Sequence, residues 1–188
     1  MVDKKPIVRN ETSHRGKVRE LFMSKLIILR GNSGSGKSSV AKGLQRRIGR
    51  NTLMIPQDTV RREMLWAHDG YDTAAIPLLS SLLHYGYENS KVVILEGILN
   101  SKWYQPLFEA AVELFNRNIY AYYYDLPFEE TLKRHATKEN RFEFGETEMR
   151  QWWNEKDYIG FIPEKTIGKE MSLDEVINMI LSDVQIPF

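Results

Sequence analysis

The most constraining feature of the sequence is the stretch KLIILRGNSGSGKSSVAKGLQ, at residues 25–45. It opens with four consecutive apolar residues, a run typical of a strand that is buried on both faces. The eight residues from Gly31 to Ser38 match G-x-x-x-x-G-K-[ST] at every fixed position. A helix is predicted from residue 39 to 48, because apolar residues then recur every four positions. A strand, a glycine-rich loop and a helix are therefore expected in direct succession.

The composition of this loop suits a polyphosphate. Its three glycines allow a tight turn that aims backbone N–H groups inward, and the helix that follows adds the positive end of its dipole. Lys37 can reach the β- and γ-phosphates, and the Ser38 hydroxyl can ligate Mg²⁺. The predicted nucleotide contacts in this stretch are Gly31, Asn32, Ser33, Gly34, Ser35, Gly36, Lys37, Ser38 and Ser39.

The composition is that of an ordinary globular protein with little excess charge. The chain has 188 residues, 26 Lys plus Arg against 25 Asp plus Glu, and a net charge of +1. A dedicated polynucleotide binder usually has a clear basic excess, so this balance disfavours a long nucleic-acid ligand. The sequence has no cysteine, which excludes disulfides and thiol catalysis. No apolar run has the length of a membrane span and no signal peptide is apparent, so we expect a cytoplasmic protein with no membrane partner.

The remainder of the chain alternates predicted strands with predicted helices. We expect strands at residues 52–55, 92–95, 119–124 and 165–167, and helices at 59–67, 73–88, 102–115, 129–137, 146–156 and from 172 onward. This alternation predicts a parallel α/β sheet, which binds ligands at the carboxyl ends of its strands. The four tryptophans, Trp66, Trp103, Trp152 and Trp153, are predicted to lie in the core or in a pocket wall.

Asp58 and Arg61 follow the second predicted strand, at the start of a predicted helix. Residues three apart on a helix share a face, so the carboxylate and the guanidinium are expected to lie together. Phosphoryl transfer to a hydroxyl needs a carboxylate that accepts a proton and a cation near the moving group. The alternative is a helix cap beside a surface arginine.

Three further residues are candidates for nucleotide or metal binding. Glu96 follows the third apolar run and could hold Mg²⁺ or contact an acceptor. Arg134, in the helix after the fourth strand, is the best candidate for a cation that closes on the ATP phosphates. Arg141 lies in a polar, broken segment and is a second candidate for such a cation.

The chain resembles the small P-loop kinases that include zeta toxins, chloramphenicol phosphotransferases and the 5′-kinase domain of polynucleotide kinases. The resemblance depends on LIILRGNSGSGKSS, QDTVRREM, VVILEGIL and YYYDLPFEETLKRH, and it extends from about residue 25 to 184. It implies a three-layer, adenylate-kinase-like, AAA-type P-loop NTPase fold with a five-stranded parallel sheet in the order 2-3-1-4-5. It also implies that Asp58 is the general base and that Arg61 and Arg134 act with it.

We therefore predict an ATP-dependent kinase that uses ATP and Mg²⁺ to phosphorylate a hydroxyl of a small molecule such as a nucleoside, sugar or antibiotic. Its catalytic residues would be Asp58, Lys37, Arg61 and Arg134, and its metal ligands Ser38 and Glu96. We expect a flexible extension at residues 1–24, a kinase domain at 25–188 and a short lid at about 138–150. A polynucleotide 5′-hydroxyl kinase and a nucleotide-binding regulatory switch remain the alternatives.

Overall fold

The computed structural model describes residues 24–137 and 142–185. The predicted N-terminal extension lies outside this part of the chain except for Ser24, and so do Arg141 and the first residues of the predicted lid. In the described ranges, no helix is both long enough and apolar enough to cross a lipid bilayer.

Strands and helices alternate along the described chain, as the sequence predicts. The strands are β1 Lys25–Gly31, β2 Thr52–Pro56, β3 Val92–Gly97, β4 Ile119–Tyr124 and β5 Glu164–Ile167. The α-helices are α1 Lys37–Ile48, α2 Ala75–Asn89, α3 Gln105–Phe115, α4 Phe128–Ala136, α5 Glu146–Gln151 and α6 Leu173–Val184, and a π-helix spans Thr59–Met64.

The five strands form one parallel sheet in the order β2-β3-β1-β4-β5, which confirms the predicted fold. β1 is central, and its residues 26–29 have no solvent exposure. Because alternate strand residues point to opposite faces, Leu26 and Ile28 pack in one apolar layer, while Ile27 and Leu29 pack in the other. Helices α2 and α3 cover the first layer and α1 and α6 the second, which makes a three-layer domain.

The helix predicted at residues 59–67 is wrong in type and length. The segment is a π-helix that ends at Met64, and the Leu65 amide donates to the Val60 carbonyl five residues back, at 3.2 Å. Such i→i+5 turns are rare in proteins overall, but those that occur are often found at functional sites. Helical periodicity in the sequence does not distinguish them from an α-helix. Residues 62–66 lie on the surface, so Trp66 is 91% exposed and the prediction that it lies in the core or a pocket wall is wrong.

The helix predicted at residues 146–156 ends early, at Gln151. The backbone of Asn154 bonds instead to the side chain of Asn32 in the glycine-rich loop. Its amide donates to Asn32 Oδ1 at 2.8 Å, and its carbonyl accepts from Asn32 Nδ2 at 2.7 Å. A tertiary contact over 122 residues thus replaces the helical bonds of the last predicted turn.

Candidate active site

The glycine-rich loop connects the end of β1 to the start of α1. Gly31, Gly34 and Gly36 have φ of +137°, +80° and +103°, a region that other residues rarely adopt. Space is a second constraint, because a β-carbon on Gly31 would lie 2.8 Å from the Tyr124 β-carbon. The glycines therefore permit a tight turn directly before the N-terminus of α1, which is the backbone arrangement that binds anions in phosphate-binding loops.

Lys37 is folded back over this loop and is 7% exposed. Its ammonium group donates to the Asn32 carbonyl at 2.8 Å and to Ser35 Oγ at 3.2 Å. These contacts hold the positive charge at the loop, where an incoming phosphate would meet it.

Ser38 and Glu96, the two predicted metal ligands, are in contact. The Ser38 hydroxyl donates to Glu96 Oε2 at 3.1 Å, and Glu96 is 6% exposed at the end of β3. Both offer the hard oxygen atoms that Mg²⁺ prefers. Within residues 24–137 and 142–185, three or more His, Asp or Glu side chains nowhere converge as a metal site. A pair of protein oxygens nevertheless suits Mg²⁺, which commonly keeps several waters and binds substrate phosphates.

Arg134 reaches the loop from α4. Its guanidinium donates to the Ser35 carbonyl at 3.0 Å and to Glu130 Oε1 at 2.8 Å. The bond to Arg134 holds the pKa of the Glu130 carboxyl below its usual value. Arg134 also lines a cavity of about 330 Å³ next to the loop, together with Gly34, Ser39, Tyr124 and Met171.

Asp58 and Arg61 are brought together as predicted. Asp58 immediately precedes the π-helix, but its carboxylate does not cap that helix and instead accepts from Arg61 at 2.8 Å. The Asp58 side chain is 56% exposed, whereas that of Arg61 is 17% exposed. Arg61 Nε also lies 3.6 Å from Asp69 Oδ2, so the guanidinium sits between two carboxylates.

Asp69 is fixed in turn by the buried side chain of Tyr104. The Tyr104 hydroxyl donates to Asp69 Oδ1 at 2.6 Å and accepts from Gln57 Nε2 at 2.7 Å. Burial, and then the bond to Asp69, raises the pKa of this hydroxyl well above its usual value, so it remains a donor at neutral pH. A series of contacts from Gln57 through Tyr104, Asp69 and Arg61 therefore connects the core to the exposed carboxylate of Asp58.

A cavity of about 570 Å³ joins these groups to the glycine-rich loop. Its lining includes Ser33 of the loop, Asp58, Arg61, Asp69, Trp103 and Trp152. Asp58 therefore borders the same cavity as Ser33 of the predicted phosphate loop. Two of the four tryptophans predicted for the core or a pocket wall, Trp103 and Trp152, are part of its wall.

Several residues of the site were not predicted. Asp69 and Tyr104 lie in stretches without a motif, and Asn154, which lines the larger cavity, was placed in a helix. The Asn154 side chain also accepts from Asn100 Nδ2 at 2.9 Å, so three asparagines connect the loop, the segment after β3 and the segment after α5. No sequence signal pairs Asn32 with Asn154, which lie 122 positions apart. The one available signal is the presence of an asparagine inside the glycine-rich loop.

A family model described as an AAA domain matches residues 26–159, well over half of the chain. The chain belongs to this AAA domain family. The matched range includes every residue that lines the larger cavity, and the P-loop fold that the resemblance implied is confirmed.

Solved structures show the same fold at low sequence identity. A Sinorhizobium meliloti gluconokinase aligns with a TM-score of 0.61 and 17% identity over 87% of this chain and 93% of its own. A Deinococcus radiodurans tunicamycin resistance protein gives 0.62 and 16% over 87% and 97%. A Mycobacterium tuberculosis APS kinase in complex with AMPPNP and APS gives 0.60 and 19% over 87% and 98%. The search of curated proteins found no match to the chain.

Proposed function

We propose that this AAA domain is an ATP-dependent kinase that transfers the γ-phosphoryl group of ATP to a hydroxyl of a small molecule such as a nucleoside, sugar or antibiotic. The observation that carries the proposal is the shared cavity: Ser33 of the phosphate loop and the carboxylate of Asp58 line the same space. Phosphoryl transfer depends on positioning and on charge stabilisation, and both kinds of group meet there.

The donor side of the site comprises the loop Gly31–Ser39 with Glu96 and Arg134. The loop amides would bind the triphosphate, with Lys37 and Arg134 offsetting the charge that develops on the transferred group. Arg134 already contacts the Ser35 carbonyl, so its guanidinium needs little movement to reach a bound phosphate. Ser38 Oγ and Glu96 Oε2 would hold Mg²⁺, which supplies Lewis-acid neutralisation of the phosphate oxygens.

The acceptor side comprises Asp58, Arg61, Asp69, Tyr104 and the larger cavity. Arg61 occupies Asp58 Oδ1, while Asp58 Oδ2 has no hydrogen-bond partner among the described residues and is open to an acceptor hydroxyl. Asp58 would accept the hydroxyl proton as the new O–P bond forms. The bond from phosphorus to the ADP oxygen then breaks, and ADP keeps that electron pair.

Two independent findings support a kinase that acts on small molecules. The solved structures with this fold include a gluconokinase and an APS kinase in complex with AMPPNP and APS. The net charge of +1 also disfavours the tight backbone neutralisation that polynucleotide binding requires.

The test is to incubate the protein with labelled ATP, Mg²⁺ and a library of hydroxylated metabolites, and to identify labelled products by mass spectrometry. Asp58→Asn should bind AMPPNP normally but transfer about 10²- to 10⁴-fold more slowly, because the general base is lost. Lys37→Ala should weaken AMPPNP binding as well. The matched control is Asp174→Asn, an exposed aspartate in the first turn of α6, which should leave both measurements unchanged.

Undiminished turnover by Asp58→Asn would remove Asp58 as the base. Labelling of 5′-hydroxyl oligonucleotides, with no small-molecule product, would favour the polynucleotide kinase. Hydrolysis that depends on a protein partner and yields no phosphorylated acceptor would instead indicate a regulatory switch.

A further inference from the structure

The larger cavity has a cation that no described carboxylate neutralises. Arg61 and Arg62 are adjacent in the π-helix, and both line this cavity. Arg61 is held between Asp58 and Asp69. Arg62 is exposed, and its guanidinium has no ion pair or hydrogen bond among residues 24–137 and 142–185. A guanidinium suits recognition of a carboxylate or phosphate, because its planar fork donates two parallel bonds.

The aromatic residues of the same cavity wall favour a ligand that also has an apolar part. Trp103, Phe144 and Trp152 line the cavity, and Trp152 is 41% exposed. A partly exposed indole in a concave site offers a flat face on which a planar ring can stack.

These aromatic residues are held in place from behind. The Phe144 ring contacts Trp152 edge-to-face at 5.1 Å and stacks on His135 at 4.4 Å. His135 is itself buried, and its Nε2 lies 2.9 Å from the Phe144 carbonyl oxygen. On the other part of the wall, Tyr71 contacts Trp103 edge-to-face at 6.2 Å. The aromatic wall is therefore braced before any ligand arrives, as expected of a binding surface.

We propose that the acceptor is a small molecule that carries both a flat ring and an anionic group, with its reacting hydroxyl at Asp58. The ring would contact Trp152 and Trp103, and Arg62 would bind the carboxylate or phosphate. This inference rests on the proposed kinase function, since it places the acceptor in the same cavity. The volume of about 570 Å³ suits a ligand of roughly nucleotide size.

The experiment sorts hydroxylated compounds into four pools: ring with anion, neutral ring, anion without a ring, and neither. Each pool is tested for a shift in the melting temperature of the full chain with saturating AMPPNP and Mg²⁺, and for product formation with labelled ATP. We expect the stabilising compounds and the phosphorylated products in the first pool. Within that pool, compounds that carry a ring and a phosphate are compared with compounds that carry a ring and a carboxylate, which identifies the anionic group.

Two variants test the two contacts separately. Arg62→Ala should weaken binding of a hit from the first pool by about tenfold or more, and Arg62→Lys should recover part of it. Trp152→Leu should weaken the same compound by about fivefold to a hundredfold. The controls are Arg50→Ala and Trp66→Leu, which remove an exposed arginine and an exposed tryptophan outside the cavity.

The outcomes separate this inference from the proposed function. If AMPPNP alone gives no shift and no pool yields product, the kinase proposal fails. If product forms from a neutral or ring-free acceptor while the first pool yields none, the acceptor class is wrong and the kinase proposal stands. Unchanged binding of a first-pool compound by Arg62→Ala would also overturn the inference.

Discussion

The donor side and the acceptor side of the site are held by different kinds of contact. On the donor side, Lys37 bonds to residues two and five positions away, and the three glycines act through their own φ angles. On the acceptor side, Arg61 depends on Asp69, which depends on Tyr104, 35 residues further along the chain. The centre of the donor side is therefore specified by one continuous segment, to which Glu96 and Arg134 are added from distant parts of the chain. The acceptor side has no such segment and is assembled from several.

The solvent exposure of the side chains also differs between the donor side and the acceptor side. Lys37 and Glu96 are 7% and 6% exposed, whereas the Asp58 side chain is 56% exposed. Under the proposed function the donor groups surround a ligand whose chemistry is fixed, while the acceptor groups border an open cavity. This difference is what a family with one shared phosphate donor and varied acceptors would require, because loops around a fixed scaffold change most easily.

The contact that joins the two sides should give the largest effect. Arg30, near the end of β1, has no solvent exposure and forms ion pairs of 2.8 Å with Asp157 and Glu164. It also donates to the Leu99 carbonyl, in the segment that leads to Trp103. Arg30→Met should destabilise the fold by about 3–5 kcal/mol, because two carboxylates lose their buried partner. Urea unfolding measures the change.

The matched control for this prediction also removes the charges of the two acids that pair with Arg30. Arg30→Met combined with Asp157→Asn and Glu164→Gln should recover part of the lost stability, since no uncompensated charge is left. A single variant that loses under about 1 kcal/mol would show that the cluster does not hold the two sides together.

A change on the donor side should act on catalysis and much less on folding. Arg134→Ala removes the guanidinium at the Ser35 carbonyl, and kcat should fall about 10²- to 10³-fold because transition-state charge loses a partner. Steady-state kinetics with an acceptor found in the labelled-ATP screen, together with the Kd of AMPPNP, measures this. Arg150→Ala is the control, since that arginine is exposed and pairs with Glu146. Equal losses in both variants would contradict a role at the phosphates.

The same contrast explains how much could be predicted from the sequence. The sheet order was predicted through family resemblance, and the Ser38–Glu96 and Asp58–Arg61 contacts followed from strand ends and helical spacing. Those features depend on local spacing or on a motif. The π-helix and the early end of α5 were not predicted, because each is decided by contacts that local patterns do not contain.

Arg30 and Asn154 show the second limit of sequence analysis. An arginine near the end of a strand is usually read as a surface charge, yet Arg30 is enclosed by two acids and two carbonyl groups. Asn154 is polar and follows a helix, so nothing in its neighbourhood indicates that it clamps the phosphate loop. Asp157 and Glu164 lie more than 100 residues from Arg30, and Asn32 lies more than 100 residues from Asn154. The three-dimensional fold therefore had to be known before these contacts could be assigned.

The smallest effect, and the most specific test of the acceptor side, is expected from Tyr104→Phe. Without the hydroxyl, Asp69 loses its 2.6 Å donor and Arg61 is braced less firmly beside Asp58. We expect kcat to fall by about tenfold, while the KM for ATP stays unchanged because the donor side is untouched. We also expect the free energy of unfolding to fall by about 1–3 kcal/mol, because the Gln57 amide loses its hydrogen-bond partner.

Tyr122→Phe is a closely matched control for that change. The Tyr122 hydroxyl is also buried, also donates to a carboxylate, Asp183 at 3.0 Å, and also has its pKa raised chiefly by burial. It packs in the opposite apolar layer, away from both cavities. If Tyr122→Phe lowers stability similarly but leaves kcat intact, the kinetic loss in Tyr104→Phe comes from positioning Arg61 and not from general loosening. Similar kcat losses in the two variants would show that the acceptor side depends on overall rigidity instead of on this line of hydrogen bonds.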